Sequence, residues 1–112
     1  MTQVRYAQDG EIAIVTMDNP PVNGLGFELR SGIDAGVRRA LADPVVKAIV
    51  LTGTARAFSG GGDGREFNSP KSTASPNLQE LIALIEDAPK PVIAAVGGLA
   101  LGGGNELALG CH

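Results

Sequence analysis

Val92-Ile93-Ala94-Ala95-Val96-Gly97-Gly98-Leu99-Ala100-Leu101-Gly102-Gly103-Gly104-Asn105-Glu106 joins three features of different physical character. Five apolar residues follow Pro89-Lys90-Pro91, and a run without polar alternation predicts a strand covered on both faces. The glycines after it let backbone N–H groups converge on a cavity with no Cβ in the way. A helix starting near Asn105 then carries an acid, Glu106, in its first turn.

The same order occurs once earlier. Val45 to Thr52 is a nearly continuous apolar run, and the Gly53 to Asn68 segment behind it holds Gly60, Gly61, Gly62 and Gly64. Both glycine clusters are therefore expected at the C-terminal end of a buried strand. In open α/β sheets that edge collects helix N-termini and free N–H groups, and ligands bind there. Between the two units, the Ser/Pro-rich connector Ser69 to Pro76 is expected to be mobile. Asn77 can cap a helix with the apolar stripe Leu78, Leu81, Ile82 and Ile85.

Toward the N-terminus, Leu29, Ile33, Val37, Ala40 and Leu41 recur at three- and four-residue spacing, which predicts a helix over 27–42. Arg30, Asp34, Arg38 and Arg39 are placed mostly off that stripe, and Gly36 weakens the helix by about 1 kcal/mol relative to alanine. Asp43-Pro44 ends it. Val4 to Gln8 and Ile12 to Met17 read as a β-hairpin turning at Asp9-Gly10. Asn19-Pro20-Pro21-Val22-Asn23-Gly24 reads as an exposed loop, because two prolines cannot donate to a ladder. A strand, a helix and a strand in this order predict an α/β fold with a parallel sheet, and 112 residues suit one domain.

The net charge is −3, with Lys and Arg scattered, which argues against nucleic acid as a partner. Met1 to Tyr6 has no apolar segment behind a basic cluster, and Val92 to Gly104 is too short to span a bilayer, so no membrane association and a cytoplasmic location are expected. A single cysteine, Cys111, beside a single histidine, His112, offers neither a disulfide nor a metal cluster. Arg65 and Leu107 stand where a dinucleotide fingerprint needs its last glycine, and no Gly-Lys-Ser/Thr follows either cluster. Ala57 stands where a serine-hydrolase elbow needs glycine before Ser59.

Two glycine loops with an acid beside one of them suit stabilisation of an oxyanion coupled to proton transfer. Each part alone has a plainer use, since glycine-rich loops are commonly tight turns and a first-turn Glu commonly serves the helix dipole or a capping box. Apolar neighbours Leu99, Leu101, Leu107 and Leu109 would raise the Glu106 pKa if they bury it, while the helix N-terminus would lower it.

Ala57-Phe58-Ser59-Gly60-Gly61-Gly62-Asp63-Gly64-Arg65-Glu66-Phe67 resembles the first signature of the crotonase (enoyl-CoA hydratase/isomerase) family, and Ala100-Leu101-Gly102-Gly103-Gly104-Asn105-Glu106-Leu107-Ala108-Leu109-Gly110 the second. Asn19 to Asn23 and Pro89 to Val96 fit the flanks. Leu107 to His112 is similar to the hydratase half of multifunctional fatty-acid oxidation enzymes, in which a 3-hydroxyacyl-CoA dehydrogenase part follows. The resemblance implies a crotonase-like spiral of ββα units, with residues 1–112 a partial domain covering roughly its N-terminal half.

It further implies an acyl-CoA thioester as ligand, bound bent, with its oxygen held by the N–H groups of Gly62 and Gly103. Glu106 matches the first of two glutamates that activate a water for addition to a 2-enoyl thioester. Ser59, Gly60, Asp63, Arg65 and Gly102 are carried over as substrate-binding positions, Arg65 toward the CoA phosphates. Coenzyme A enters only as part of the substrate, no metal or cofactor is implied in this segment, and NAD belongs only to a dehydrogenase domain if one follows. A homo-oligomer or such a fused domain is the implied partner.

Three departures stand out. Gly62 occupies a position where alanine is usual and Gly64 one where a larger apolar residue is usual, which loosens the loop. The second glutamate falls beyond His112. A non-catalytic acyl-CoA-binding or assembly fragment, and a thioester hydrolase, decarboxylase or dehalogenase on the same hole, therefore stay open as alternatives.

Overall fold

The computed structural model describes residues 3–112. β1 (Val4–Asp9) and β2 (Ile12–Met17) pair antiparallel, and the turn sits one residue later than expected. Asp9 already pairs with Ile12, leaving Gly10 at φ +60° and Glu11 as the loop.

The predicted parallel sheet is present. β3 (Ala48–Thr52) lies parallel to β2, and β5 (Val92–Ala95) parallel to β3, in the order β1-β2-β3-β5. The helix α1 (Phe27–Ala42) crosses from β2 to β3 and lays Leu29, Ile33, Val37 and Ala40 on the sheet. These pack with Ala13, Val15, Met17, Ile49, Leu51 and Val92 in one fully buried core. Lys90 donates to the carbonyls of Ala40 and Asp43 at 2.8 and 2.7 Å, so a cation serves the C-terminal end of α1. Gly36 is explained by the same packing, since a Cβ there would sit 3.2 Å from Val15 Cγ1.

Two expectations about the strands need correction. β3 starts at Ala48 and not at Val45, because Asp43 accepts from the Val45 N–H and turns the chain there, leaving Val45 exposed. Nor are β3 and β5 covered on both faces. Ile49, Leu51 and Val92 face the core, whereas Ile93 on the other side is 45% exposed.

The helix α2 (Leu78–Glu86) starts as the sequence predicts, with a full capping box. Asn77 accepts from the Glu80 N–H while Glu80 accepts from the Asn77 N–H, an arrangement worth about 1 kcal/mol. Its stripe meets α3 (Gly103–Gly110), through Leu81, Ile85 and Leu107 in the core.

Candidate active site

Neither glycine cluster directly follows the strand that announced it. A short strand intervenes each time, β4 (Ala57–Ser59) and β6 (Leu99–Ala100), and these two pair parallel in a sheet of their own. Parallel pairing puts the C-terminal ends of both strands side by side, and with them Gly60 to Gly62 and Gly102 to Gly104. The junction is tight. A Cβ on Gly61 would lie 3.1 Å from the Leu101 carbonyl oxygen and 3.5 Å from the Gly103 nitrogen. Gly61 at φ +104° and Gly102 at φ +50° hold conformations that side chains disfavour.

Some of the loops' backbone donors are already engaged. Gly60 N–H donates to the Val22 carbonyl, Leu101 N–H to Ser59, and Gly104 N–H to Leu101. Gly61 N–H donates to Ser59 Oγ, which in turn donates to the Asn23 carbonyl. Among the described residues the N–H groups of Gly62 and Gly103 meet no acceptor, and neither do those of Asp63, Gly64 and Gly102. Of these five, the resemblance of the signatures points to Gly62 and Gly103.

Gly62 lies where two hollows meet. One, of about 310 Å³, has Leu25, Arg30, Glu66, Phe67 and Leu78 among its walls. Leu78 also abuts Gly103, whose Cβ would come 2.9 Å from Leu78 Cδ2. The other, about 360 Å³, runs between Pro20-Pro21-Val22 and Asp63 to Arg65.

Several expected ligand residues turn out to hold the loop itself. Ser59 is fully buried, with its hydroxyl bonded on both sides. Arg65 forks onto both carboxylate oxygens of Asp63 at 2.9 and 2.8 Å and reaches Asn19 Oδ1 at 3.2 Å, while Asp63 also caps the 3-10 turn at Gly64–Glu66. The Arg65 hydrogen bonds hold the Asp63 carboxyl below its usual range. Arg65 keeps an exposed side chain along the second hollow.

Glu106 stands in the first turn of α3, and it is exposed. Leu101 and Leu109 are exposed as well, so they do not enclose it. Its carboxylate makes no hydrogen bond among the described residues and lines neither hollow.

Four residues absent from the sequence-based site shape it. The loop expected to be exposed is exposed only at its prolines. Asn19 and Asn23 are 5% and 1% exposed. Asn23, at φ 54°, donates to the carbonyls of Met17, Ala57 and Phe58 and accepts from the Asn19 N–H, tying β2 to β4. Glu66 places both carboxylate oxygens on the Phe27 N–H at 3.1 and 3.0 Å and serves as the N-terminal acid of α1 from across the chain. Gly26 makes room, because a Cβ there would come 2.7 Å from Glu66 Oε2.

Arg30 is 3% exposed and inside the fold, not off the helix stripe. Its guanidinium donates to the carbonyls of Leu25, Lys71, Ala74 and Pro76 at 2.7–3.2 Å. The connector expected to be mobile is thus clasped. A signal was present, since position 30 shares a helix face with Ile33 and Val37 at three- and seven-residue spacing.

The model of the enoyl-CoA hydratase/isomerase family matches residues 7–112. The chain belongs to that family. A peroxisomal bifunctional enzyme from Danio rerio is 48% identical over 101 residues, spanning 90% of this chain and 14% of that protein. A peroxisomal fatty acid beta-oxidation multifunctional protein from Arabidopsis thaliana is 47% identical over 115 residues, spanning 97% of this chain and 16% of its own length. The crystal structure of an enoyl-CoA hydratase/carnithine racemase from Magnetospirillum magneticum superposes with a TM-score of 0.89 at 29% identity, over 99% of this chain and 45% of that one.

The crotonase-like fold expected from the signatures is borne out, and this enoyl-CoA hydratase/isomerase family chain spans less than half the length of these relatives. The cytoplasmic expectation is overturned, because both of the curated relatives named here are peroxisomal enzymes.

Proposed function

We propose that this chain is the N-terminal part of an enoyl-CoA hydratase/isomerase domain, and that the complete protein adds water across 2-enoyl-CoA thioesters in fatty-acid β-oxidation. The observation that carries this reading is the junction of the two glycine loops, where the Gly62 and Gly103 N–H groups are free of protein acceptors beside a hollow that Leu25, Phe67 and Leu78 line together with polar side chains. As water adds at the β-carbon, negative charge gathers on the thioester oxygen. Two fixed N–H donors stabilise that enolate more than the ground-state carbonyl, and loss of one such donor typically costs ~10²–10³ in rate.

The two hollows that meet at Gly62 suit a bent ligand. The acyl group lies toward Leu25, Phe67 and Leu78, and the CoA portion runs past Pro20-Pro21-Val22 to Arg65. With Asp63 occupying one edge of its guanidinium, Arg65 acts on phosphates with its remaining exposed N–H groups. Glu106 acts as acid/base on the water, with a second carboxylate supplied from outside these residues. A dehydrogenase domain fused beyond the hydratase part would use NAD and oxidise the hydration product, and the relatives' names support a peroxisomal setting.

The test is hydration of crotonyl-CoA by the complete protein, followed by loss of the enoyl thioester absorbance. Turnover supports the reading. Tight binding of the thioester with no product would mark an acyl-CoA-binding module instead, and neither binding nor turnover would remove the acyl-CoA assignment altogether.

A further inference from the structure

We propose that Arg30 is a positioning residue that sets the acyl specificity of this site, by clasping residues 71–76 as one wall of the hollow beside Gly62. The inference rests on the hydratase reading above. Nothing in the proposed chemistry uses Arg30, yet it is a nearly buried cation, and such a group is retained only where its donors are satisfied.

Its partners decide what it does. Three of the four carbonyls it binds, those of Lys71, Ala74 and Pro76, belong to a connector without long helix or strand of its own. That connector presents Ser72 and Thr73 to the hollow. The fourth carbonyl is that of Leu25, whose N–H donates to the Gly61 carbonyl at 2.7 Å. On one side, therefore, Arg30 holds the wall, and on the other it holds the segment before α1 that braces the glycine loop. Glu66 adds a carboxylate oxygen 3.9 Å away while it caps α1. A planar fork can serve carbonyls in several directions at once, which a lysine ammonium on a flexible stem does not reproduce.

Without the clasp, the backbone carbonyls of 71–76 turn to solvent and the wall moves outward, widening the hollow; the glycine loop loses only its indirect brace through Leu25, an effect common to every thioester, and keeps the Val22 and Ser59 bonds. The wall acts on the length and bulk of the acyl group, not on the thioester.

The experiment compares kcat and KM of the complete protein and of Arg30→Met and Arg30→Lys on crotonyl-CoA and on a ten-carbon 2-enoyl-CoA. Each methylene of fit in an apolar pocket is worth about tenfold or more, so the ratio of the two kcat/KM values should shift at least about tenfold in Arg30→Met, chiefly through KM, and less in Arg30→Lys. A general loss of structure would lower both substrates alike, and an unchanged ratio in a folded variant overturns the proposal. If neither variant folds, Arg30 is a requirement of folding and the proposal also falls. A wild-type protein that hydrates neither substrate fails the hydratase reading instead. The clasp is then read from amide exchange, which must quicken in residues 71–76 of Arg30→Met, and unchanged exchange overturns it.

Discussion

Gly104 packs directly on the Ser59 carbonyl, so that a Cβ at position 104 would overlap the Ser59 oxygen. That approach seats α3 against β4 and fixes where the Gly103 N–H stands relative to the first glycine loop. Gly104→Ala must push the two elements apart. Overpacking of this kind costs about 1–3 kcal/mol, and the expected outcome is a lower denaturation midpoint together with a drop in kcat for hydration. A Gly104→Ala protein with unchanged midpoint and kcat would show that the contact does not set the junction.

Asn23→Ala tests the other anchor of the junction. The substitution removes the donor shared by the carbonyls of Met17, Ala57 and Phe58, of which Ala57 keeps the Thr54 N–H, and places a Cβ residue with no side-chain compensation at positive φ. An unmatched buried polar group costs about 1–3 kcal/mol, so urea unfolding should show a loss of at least that size. Asn23→Asp, which keeps the acceptor for the Asn19 N–H but not the donor, should recover little of it.

Glu106→Gln separates chemistry from stability. Because the side chain is exposed and makes no hydrogen bond among the described residues, unfolding should shift by less than about 0.5 kcal/mol. If Glu106 is the acid/base of hydration, kcat should fall by about 10²–10⁴. Full activity in this variant would remove Glu106 from the mechanism.

Burial pushes the Cys111 thiol up to about 11 from an ordinary 9.0. The fold therefore favours the neutral thiol, and its contribution to stability is complete below pH 9 and is lost as pH rises through 11. At pH 8 alkylation of the native protein should run about 100-fold slower than after denaturation, because only the thiolate reacts. Equal rates in the two states would place the thiol in solvent.

Much of this was legible in the chain itself. The spacing of Leu29, Ile33 and Val37, the Asn77 cap and the apolar runs before each glycine cluster depend on local periodicity and backbone preference, which a linear sequence carries in full. The two signatures did the same for the family, since each is a contiguous stretch of residues. What local pattern could not carry was pairing between distant segments. β4 and β6 are too short to show a period, and only their parallel pairing brings Gly61 beside Gly103. Arg30 reads as off the buried stripe because hydropathy assigns a charged side chain to water, and nothing local gives Glu66 a role. Only the tertiary structure supplies their partners: for buried Arg30 the carbonyls of Lys71, Ala74 and Pro76, which come from 41 to 46 positions away, and for half-buried Glu66 the Phe27 N–H, 39 positions away. A buried charge is stable only where such partners converge, and convergence is a property of the folded chain.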